Sequence, residues 1–476
     1  MDGDSVMGMG HVFRCIALAG MLKDEFEIIF VVKSSSNYDP ILNAGFRMSI
    51  LPESVDIEKE PKWLKNNFNN PCFVVLDGYP FSKSYQEQIR SSGNKLFYID
   101  DLMNGIQVAD VVINHCPGIM KSHYQTSMHT KLALGLGFSL LRQSFLEFDS
   151  KSRKKISAIQ SILVSFGGSN PGGFSFKSVE QLLKLKELKE IHLLGGSPQD
   201  FSSLEKEGSP KLLVHSFLNE KQVFNLMKSV DLAIVPSSTG SLELAALNTP
   251  MILGYFVENQ KNIYEGLKGI SCVHGIGDYN LFDFANLKEI VRGLNNYKFL
   301  NSEGLASLFE GIPSNNILNL FRNEALSVRE VTREDVRFIF DLANDPLSRV
   351  NSYHSNEISF EQHEIWFADQ INSSHRAFYI VEYNGTSMAQ VRFSFEDQNA
   401  VIGVSIVEKY RGKRLGSLVL KKAISTYSES FQMPIYAYIK QENTSSVKSF
   451  ERAGFSFFRN EIVQGVNSFV YKIEIN

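Results

Sequence analysis

Short apolar runs alternate with amphipathic stretches through the first three hundred residues of the chain. The pattern predicts four buried strands in a first series, at residues 27–33, 72–79, 95–101 and 109–115. It predicts five more in a second series, at residues 161–173, 190–196, 211–217, 231–238 and 250–256. Because loop and helix patterns separate these runs, we expect βαβ units and parallel sheets.

Between the two series lies a polar, basic stretch, EFDSKSRKKIS at 147–157, which is typical of an interdomain linker. The pattern therefore predicts two Rossmann-like domains, residues 1–148 and 149–320, with a cleft between them. Ligands of such folds bind at the carboxyl ends of the parallel strands. A glycine loop at residues 8–10 normally follows a first strand, but only MDGDSV precedes it. Either the true start lies upstream, which we expect, or the first domain lacks a central strand.

Beyond about residue 325 the pattern becomes antiparallel. Residues 375–417 predict a meander of strands with a turn at Asn384–Gly385, followed by a helix that opens at Arg411. This is the pattern of a separate α+β domain, residues 326–476.

Composition and charge exclude several classes of protein. The 476 residues are 43% hydrophobic and 21% charged, as in ordinary soluble proteins of two or three domains. A net charge of -4 offers no general attraction to nucleic acid. The four cysteines are scattered without zinc-site spacing, so we expect reduced thiols, no metal and a cytoplasmic location. Neither a membrane-spanning run nor a signal peptide is visible, so no membrane partner is expected.

The opening stretch GMGHVFRCIALAGML contains the first candidate for catalysis. Val12, Ile16 and Ala19 recur at helical spacing, so a helix is predicted to begin near His11. The amino end of a helix suits an anion, and Gly10 lets a ligand approach the backbone. The positive end of the helix dipole also favours a neutral imidazole over the cation, which makes His11 a candidate general base. The alternative is a histidine that only caps the helix.

Two further stretches suit a diphosphate. The run SFGGSNPGG places Gly167 and Gly168 in a turn after a strand, where backbone amides meet phosphate or simply turn the chain. The run SSTGSLELAALNTPMILGYFVENQ places three candidate diphosphate contacts at a helix start: Ser238, Thr239 and Gly240. Glu243, predicted in the first turn, either accepts the ribose hydroxyls or is an acid stabilised by the helix dipole.

Six motifs carry a resemblance to a known family: GMGHVFRCIALA, LDGYP, YIDD, LGLGFSLLRQSF, SFGGSNP and GYFVENQ. In this order they resemble the UDP-2,4-diacetamido-2,4,6-trideoxy-β-L-altropyranose hydrolases of pseudaminic acid biosynthesis, over residues 1 to about 310. The resemblance implies a two-domain GT-B fold and release of UDP by water, without a metal. It departs from the family around residues 236–242, where Pro236 and serines replace a more glycine-rich loop.

The resemblance also implies roles for residues. His11 matches the catalytic histidine of the family and Tyr79 matches the tyrosine of its D-x-Y motif. The implied contacts to the UDP-sugar include Gly10 and Arg14 and, at the cleft, Asn259 and Gln260. Three acids at strand ends either contact the sugar or cap helices: Asp77, Asp100 and Asp101. His115, His123 and His129 show no constellation and are taken as structural.

The C-terminal stretch AVIGVSIVEKYRGKRLGSLVLKKAI contains a basic glycine loop before a helix, which suits a pyrophosphate. Together with ENTSSVKSFERAGF it resembles the GNAT acetyltransferases, over residues 326 to 476. The resemblance implies acetyl-CoA as cofactor, held by Arg411, Gly412, Arg414, Gly416 and Asn443. Two residues depart from the family pattern: Arg414 replaces a glycine, and Phe450 replaces a tyrosine acid.

The stretch LANDPLSRVNSYHSNEISFEQHEIWF is similar to the sugar-nucleotide N-acetyltransferases of the same pathway. It implies that His363 and Trp366 contact the acceptor sugar, whereas their spacing of three equally suits packing on one helix face. The chain is thus expected to acetylate the 4-amino group of a UDP-sugar and then to release UDP. Two alternatives stay open: a GT-B glycosyltransferase with a non-catalytic GNAT-like binding module, and a related nonulosonic acid route with another diacetamido sugar.

Overall fold

The computed structural model describes residues 9–68, 71–167, 171–195, 211–216, 218–302, 309, 313–373 and 375–475. The protein is a mixed α/β chain that divides into two compact units, Met1–Leu318 and Asn319–Asn476. Within the described ranges, no helix is long and apolar enough to cross a membrane.

The first part of unit 1 is built on short parallel strands. The strands are β1 Ile29–Lys33, β2 Arg47–Leu51, β3 Phe73–Asp77, β4 Lys95–Ile99, β5 Ile106–Gln107, β6 Val111–Asn114, β7 Gln125–Thr126 and β8 Lys131–Leu134. They form parallel sheets of order β1-β2, β3-β4-β6-β8 and β5-β7. The helices are Gly10–Leu22, Asp39–Asn43, Glu60–Asn67, Lys83–Ser91 and Gln143–Leu146. The first of them begins next to His11, which confirms the prediction.

The second part of unit 1 contains one six-stranded parallel sheet. Its strands are β9 Ser161–Val164, β10 Glu190–Leu194, β11 Lys211–His215, β12 Leu232–Pro236, β13 Met251–Tyr255 and β14 Val273–Asp278. Their order is β11-β10-β9-β12-β13-β14, which is typical of a doubly wound sheet. The helices here are Phe174–Leu182, Glu220–Ser229, Thr239–Ala246, Lys261–Leu267, Leu287–Leu294 and Tyr297–Leu300.

Each of the nine runs predicted as strands in this unit contains one, namely β1, β3, β4, β6 and β9 to β13, and these strands are shorter than the predicted runs. The longest run, 161–173, contains only Ser161–Val164, and its residues 168–170 lie outside the described residues. Longer strands missing from the prediction are β2, β8 and β14. β2 is half-exposed, and β14 contains two glycines and ends at an aspartate, so neither has the continuous apolar run of a buried strand.

The stretch predicted as a linker is anchored to the second part of unit 1. Arg153 donates to the carbonyl oxygens of Leu247 and Val230, at 3.2 and 2.8 Å. The backbone amide of Ile156 donates to Asn301 Oδ1 at 2.7 Å. One buried cluster also includes side chains from both parts of the unit, among them Cys116, Leu141, Leu163 and Leu253. Unit 1 therefore has a continuous core.

Unit 2 contains one seven-stranded sheet. Its strands are β15 Leu326–Glu330, β16 Arg376–Tyr383, β17 Thr386–Glu396, β18 Asn399–Ile406, β19 Ile435–Lys440, β20 Ser456–Val463 and β21 Val466–Ile473, in the order β15-β16-β17-β18-β19-β21-β20. The helices are Val336–Ala343, Pro346–Asn351, Phe360–Asn372, Gly416–Ser428 and Thr444–Ala453, and the helix Pro313–Ala325 contains the boundary between the units. The predicted turn is confirmed, with positive φ at Asn384 and Gly385.

Only one pair of neighbouring strands in this sheet is parallel. β18 and β19 pair at Ala400 with Ile435 and at Val401 with Tyr436, and no further pairs follow. The two strands therefore diverge beyond Val401. The helix predicted to open at Arg411 begins instead at Gly416, because Gly412 and Arg414 have φ values of 74° and 61°, which a right-handed helix cannot continue.

Candidate active sites

His11 and Asp77 form the centre of the candidate site in unit 1. His11 lies in the first turn of the helix Gly10–Leu22, and Asp77 is the last residue of β3. His11 Nδ1 and Asp77 Oδ1 are 2.7 Å apart, and the Asp77 side chain is 0% exposed. When the neutral ring donates its Nδ1 proton to this carboxylate, the opposite ring nitrogen, Nε2, has a free lone pair.

Arg14 holds this carboxylate from the same helix face, since it follows His11 by three residues. Its Nε donates to Asp77 Oδ2 at 2.7 Å, and its Nη1 donates to Asp101 Oδ2 at 2.9 Å. Arg14 Nη2 bonds to Asp77 Oδ1 as well. Burial alone would raise the pKa of Asp77, but the charge and hydrogen bonds of Arg14, with the hydrogen bond from His11, hold it well below its usual value. Asp77 is therefore an anion at neutral pH.

Cys15 completes the surroundings of Asp77. Its Sγ donates to Asp77 Oδ2 at 3.2 Å, and burial together with the nearby carboxylate raises the pKa of the thiol well above its ordinary value. The thiol stays protonated and is a donor. Sequence reasoning missed Cys15 and did not distinguish Asp77 from its neighbours, although positions 11, 14, 15 and 18 share one helix face and are all buried.

Tyr79 packs against the histidine ring, and Asn259 contacts Tyr79. The Tyr79 ring centroid lies 5.2 Å from the centroid of the His11 ring, edge to face. Asn259 Nδ2, from the loop after β13, donates to Tyr79 Oη at 2.6 Å. Burial, followed by the charge of Asp101, raises the pKa of Tyr79 to about 12, so the phenol is neutral, and its side chain is 46% exposed. The structure thus brings together three residues that were named from three separate motifs.

The neighbouring side chains of Gln260 and Asn262 make different contacts from that of Asn259. Gln260 is buried, and its Oε1 accepts from the backbone amide of Phe256 at 2.9 Å, so it shapes the loop. Asn262, which the sequence analysis did not name, donates through Nδ2 to the carbonyl oxygen of Asp101 at 3.1 Å. Asn259, in the loop after β13, and Asn262, in the helix Lys261–Leu267, therefore join this part of the chain to the residues that follow β3 and β4.

The remaining two acids at the strand ends have different roles, one in an ion pair and the other as a cap of a turn. Asp101 pairs with Arg14, as described above. Asp100 accepts from the backbone amides of Leu102 and Met103, at 3.1 Å each, so it caps a turn. Burial raises the pKa of Asp100, and burial also lowers the pKa of His115 to about 3. His115 is therefore neutral.

The predicted diphosphate contacts lie at ends of parallel strands. Ser238 precedes the helix Thr239–Ala246, and residues 238 to 240 are partly exposed. A Cβ added at Gly10 or Gly167 would meet nothing within 4 Å, so backbone approach is open at both. Gly168 lies outside the described residues.

Glu243, the predicted ribose contact, is the fifth residue of the helix Thr239–Ala246, so it lies beyond the first turn in which it was predicted. It is also already paired. Its Oε1 and Oε2 accept from Arg142 Nε and Nη2, both at 2.7 Å, and the residue is 4% exposed. Arg142 also lies over the rings of Phe13 and Phe145, at 5.8 and 5.1 Å from their centroids. Each carboxylate oxygen has a second acceptor position, so a ribose hydroxyl contact is compatible with this pair.

The basic loop in unit 2 is held from within the chain. Arg411 Nη2 donates to Asp345 Oδ1 at 2.7 Å, and Arg411 Nε donates to the Ile406 carbonyl oxygen at 2.8 Å. Gly416 begins a helix of 13 residues, and a Cβ there would lie 3.0 Å from Ser449 Oγ. Asn443 Oδ1 accepts from the Ser446 amide at 3.1 Å, so this side chain caps the helix Thr444–Ala453.

His363 and Trp366 pack together on the helix Phe360–Asn372. Their ring centroids are 5.2 Å apart, and His363 is 1% exposed between Phe340 and Phe367. Burial lowers the pKa of His363, so the ring is neutral. This arrangement favours the packing interpretation for His363. Phe450, at the position of the family tyrosine, is buried against Phe455.

The family model described as "Acetyltransferase (GNAT) domain" matches residues 325–456. This part of the chain is a GNAT acetyltransferase domain. The match indicates an enzyme with acetyltransferase activity. Among solved structures, this domain is similar to the spermidine N-acetyltransferase of Vibrio cholerae in complex with CoA and spermine, with a TM-score of 0.30, 18% identity, and coverage of 32% of this chain and 96% of that chain. It is also similar to the aminoglycoside acetyltransferase AAC(6')-Ib in complex with coenzyme A, with a TM-score of 0.29, 12% identity, and coverage of 31% and 94%.

Two curated proteins are similar to longer parts of the chain. The uncharacterized protein MJ1062 of Methanocaldococcus jannaschii is 25% identical over 472 residues, 95% of each chain. The spore coat polysaccharide biosynthesis protein SpsG of Bacillus subtilis is 22% identical over 262 residues, 54% of this chain and 77% of that protein.

The GNAT domain has the features that a CoA pyrophosphate and pantetheine need. Gly412 and Arg414 adopt positive φ, which turns the loop toward the amino end of the helix Gly416–Ser428. Unpaired amides at such a helix end bind phosphate. The divergence of β18 from β19 leaves strand edges open beside this helix. The residues present therefore fit acetyl-CoA. In the described part of the chain, no group of three or more His, Cys, Asp or Glu is placed to hold a metal ion.

Proposed function

We propose that unit 1 is a UDP-sugar hydrolase and that the GNAT domain is the acetyltransferase that makes its substrate. The hydrolase has a GT-B arrangement of two Rossmann-like parts. It converts a UDP-linked 2,4-diacetamido-2,4,6-trideoxy sugar to the free sugar and UDP, without a metal. The GNAT domain uses acetyl-CoA to acetylate the 4-amino group of the UDP-linked precursor, in pseudaminic or a related nonulosonic acid biosynthesis.

The observation that carries the hydrolase proposal is the buried pair of His11 and Asp77, beside Tyr79 and Asn259. In the proposed step, His11 Nε2 takes a proton from water as the water oxygen attacks the anomeric carbon. The bond from this carbon to the diphosphate oxygen breaks, and its electron pair leaves with UDP. Asp77 stabilises the imidazolium that forms, and such a base contributes about 10²- to 10⁴-fold to the rate.

The remaining residues serve binding. The helix start at Ser238, Thr239 and Gly240 supplies donors for the diphosphate. Gly10, at the start of another helix, and Gly167, after β9, leave the backbone open to the same ligand. Tyr79, neutral at pH 7, donates to the sugar or to water. The similarity to a spore coat polysaccharide biosynthesis protein over 54% of the chain supports a sugar substrate for this unit.

In the GNAT domain, backbone amides between Gly412 and Gly416 hold the CoA pyrophosphate. Acetyl-CoA supplies the thioester that the sugar amine attacks, and CoA leaves as a thiol. Phe450 has no proton to give, so another group protonates the thiolate. With both activities on one chain, the acetylated sugar forms at a high local concentration for the hydrolase.

The test is to incubate the full chain with a UDP-linked 4-amino-4,6-dideoxy-2-acetamido sugar, with and without acetyl-CoA, and to follow all species by mass spectrometry. We expect acetyl-CoA to be consumed first, and UDP and the free diacetamido sugar to follow in equal amounts. Release of UDP only when a second sugar or a lipid acceptor is added would identify a glycosyltransferase instead. Acetyl-CoA consumption without any UDP release would exclude the hydrolase.

A further inference from the structure

One face of the GNAT sheet presents polar side chains that the proposed reactions do not use. The strand register places Phe378, Arg392 and Gly403 in one row across β16, β17 and β18. Ile380, Gln390 and Ser405 form the next row. Residues directly opposite in antiparallel strands share a face, so all six lie on the same side of the sheet.

Helices cover only part of this side. Helices Val336–Ala343 and Phe360–Asn372 pack their apolar side chains on Phe378 and Ile380, in one buried cluster. The opposite side of the sheet is covered by helices Gly416–Ser428 and Thr444–Ala453. Gln390, Arg392, Gly403 and Ser405 are only half-buried, at the margin of the first helix pair. We call this group, with Trp366, the Arg392 face.

Arg392 is a cation without an anion. Its guanidinium carbon lies 5.3 Å from the centroid of the Trp366 ring. Among the residues the structure describes, no carboxylate pairs with it, and the charged side chain that acts on it is Arg376, which itself contacts Asp369 at 3.6 Å. Burial, followed by Arg376, lowers the pKa of Arg392. Because none of these residues places an opposite charge beside it, the free-energy cost of partly burying this guanidinium is poorly offset by the protein alone.

Gln390 is the second uncompensated group on this face. Its Nε2 donates to Ser405 Oγ at 3.4 Å, but its Oε1 is buried without any hydrogen-bond partner. His363 Nε2 and Arg376 Nε, in the same helix and sheet layer, are also buried and unpartnered in the described chain. Beside them there is room, because a Cβ added at Gly403 would meet nothing within 4 Å. Buried polar atoms rarely remain unpaired unless a ligand or water satisfies them.

The position of this face relates it to acetyl transfer. Gly403 and Ser405 lie on β18 beyond Val401, where β18 has diverged from β19. The helix Gly416–Ser428, whose amino end suits the CoA pyrophosphate, covers the opposite side of the sheet. We therefore expect the thioester in that divergence and the acceptor amine on the side that carries Arg392. A group bound by Arg392 would therefore belong to the acceptor molecule and not to CoA.

We propose that the Arg392 face binds an anionic phosphate group of the acetyl acceptor. Arg392 supplies two parallel N–H donors, a geometry that suits phosphate oxygens, while Trp366 fixes the guanidinium plane. Gln390 Oε1 accepts a hydroxyl of the same molecule. The identity of this acceptor as a UDP-linked amino sugar rests on the proposed function; the binding of phosphate at Arg392 does not.

Tryptophan fluorescence isolates this site in the full chain. The protein has two tryptophans, Trp63 in unit 1 and Trp366 against Arg392, so Trp63→Phe leaves Trp366 as the reporter. The probe is inorganic diphosphate, added to this variant. We expect a saturable change in Trp366 emission, and a dissociation constant at least about tenfold weaker in Arg392→Gln, which loses charged hydrogen bonds.

The matched control is Arg452→Gln, the same change at an exposed arginine on the helix Thr444–Ala453, which covers the opposite side of the sheet. It is expected to leave the titration unchanged. Arg392→Lys keeps the charge and loses the planar fork, so it is expected to bind with intermediate affinity, and it replaces Arg392→Gln if that variant does not fold.

The proposal is overturned if Trp366 emission does not respond saturably to diphosphate, or if Arg392→Gln and Arg452→Gln titrate alike. A parallel assay measures KM for a UDP-linked amino sugar and for the same amino sugar without UDP. We expect Arg392→Gln to raise only the first KM, by at least about tenfold, and to leave KM for acetyl-CoA unchanged. If no UDP-linked sugar is acetylated while the titration holds, the proposed acceptor is wrong and the phosphate site stands.

Discussion

Asp77 is the residue through which the parts of the unit 1 site are connected. Its two oxygens accept from His11, from Arg14 and from Cys15, and the side chain has no contact with solvent. A buried carboxylate that receives this many donors is held as an anion. In the proposed mechanism it accepts the Nδ1 proton of His11, which leaves Nε2 to act as the base.

Asp77→Asn is therefore expected to reduce the rate of UDP release by at least about 100-fold, because an amide stabilises the imidazolium poorly and permits the wrong tautomer. The control is Cys15→Ala, which removes a donor to the other oxygen of Asp77 without touching His11. Single-turnover rates of UDP release from the diacetamido substrate measure both. Equal rates in Asp77→Asn and wild type would contradict this role.

Residues of the site differed in how far sequence could predict them. His11, Tyr79 and Asn259 lie in motifs that stand out by resemblance, and the structure brings them together. Asp77 is 66 positions from His11, and the contact depends on how β3 lies against the first helix, which periodicity does not encode. Arg142 and Glu243 are 101 positions apart, so their pairing could not be predicted from either local pattern.

His115 gives a prediction on stability. Burial lowers its pKa from 6.5 to about 3 in the folded chain, whereas the unfolded chain binds this proton near pH 6.5. Stability is therefore lost as the pH falls from about 6.5 toward 3, by up to about 1.4 kcal/mol per pH unit. His115→Asn is expected to remove this contribution. Urea titrations of both proteins at several pH values check it, and parallel stability curves would show that His115 does not titrate this way.

At the scale of elements, the loop before the helix Gly416–Ser428 contains one residue, Arg414, that departs from the GNAT pattern. The pattern has glycine where this chain has Arg414, and Arg414 adopts a φ of 61°, in the region that favours glycine. Arg414 thus holds a backbone conformation that glycine adopts more readily, at a cost of about 1 kcal/mol.

Arg414→Gly is expected to raise the free energy of unfolding of the GNAT domain by about 1 kcal/mol, because it relieves this conformation. Arg414→Ala removes the same guanidinium but keeps a Cβ, and we expect it to leave the free energy of unfolding unchanged. Denaturant titrations followed by a signal from this domain compare the two. If Arg414→Ala raises the free energy of unfolding as much as Arg414→Gly does, the destabilisation comes from the side chain and not from the backbone conformation.

Strands with continuous apolar runs were predicted correctly, since burial on both faces leaves a strong pattern. The start of the helix Gly416–Ser428 was predicted five residues too early, because the sequence RGKRL contains good helix formers and the positive φ at Arg414 is set by the fold around it. The half-exposed β2 and the glycine-containing β14 were missed for lack of such runs.

At the scale of the whole molecule, the chain contains two compact units with separate cores. The proposed chemistry divides in the same way, with UDP release in unit 1 and acetyl transfer in the GNAT domain. A change at one centre is therefore expected to leave the other activity intact.

The most direct measurement compares wild type with His11→Asn in the full chain, with UDP release from the diacetamido substrate and acetyl-CoA consumption recorded in the same preparation. Asparagine at this position cannot take a proton from water, so UDP release is expected to fall by about 100-fold or more while acetylation proceeds at the wild-type rate. Full UDP release by His11→Asn would contradict the account.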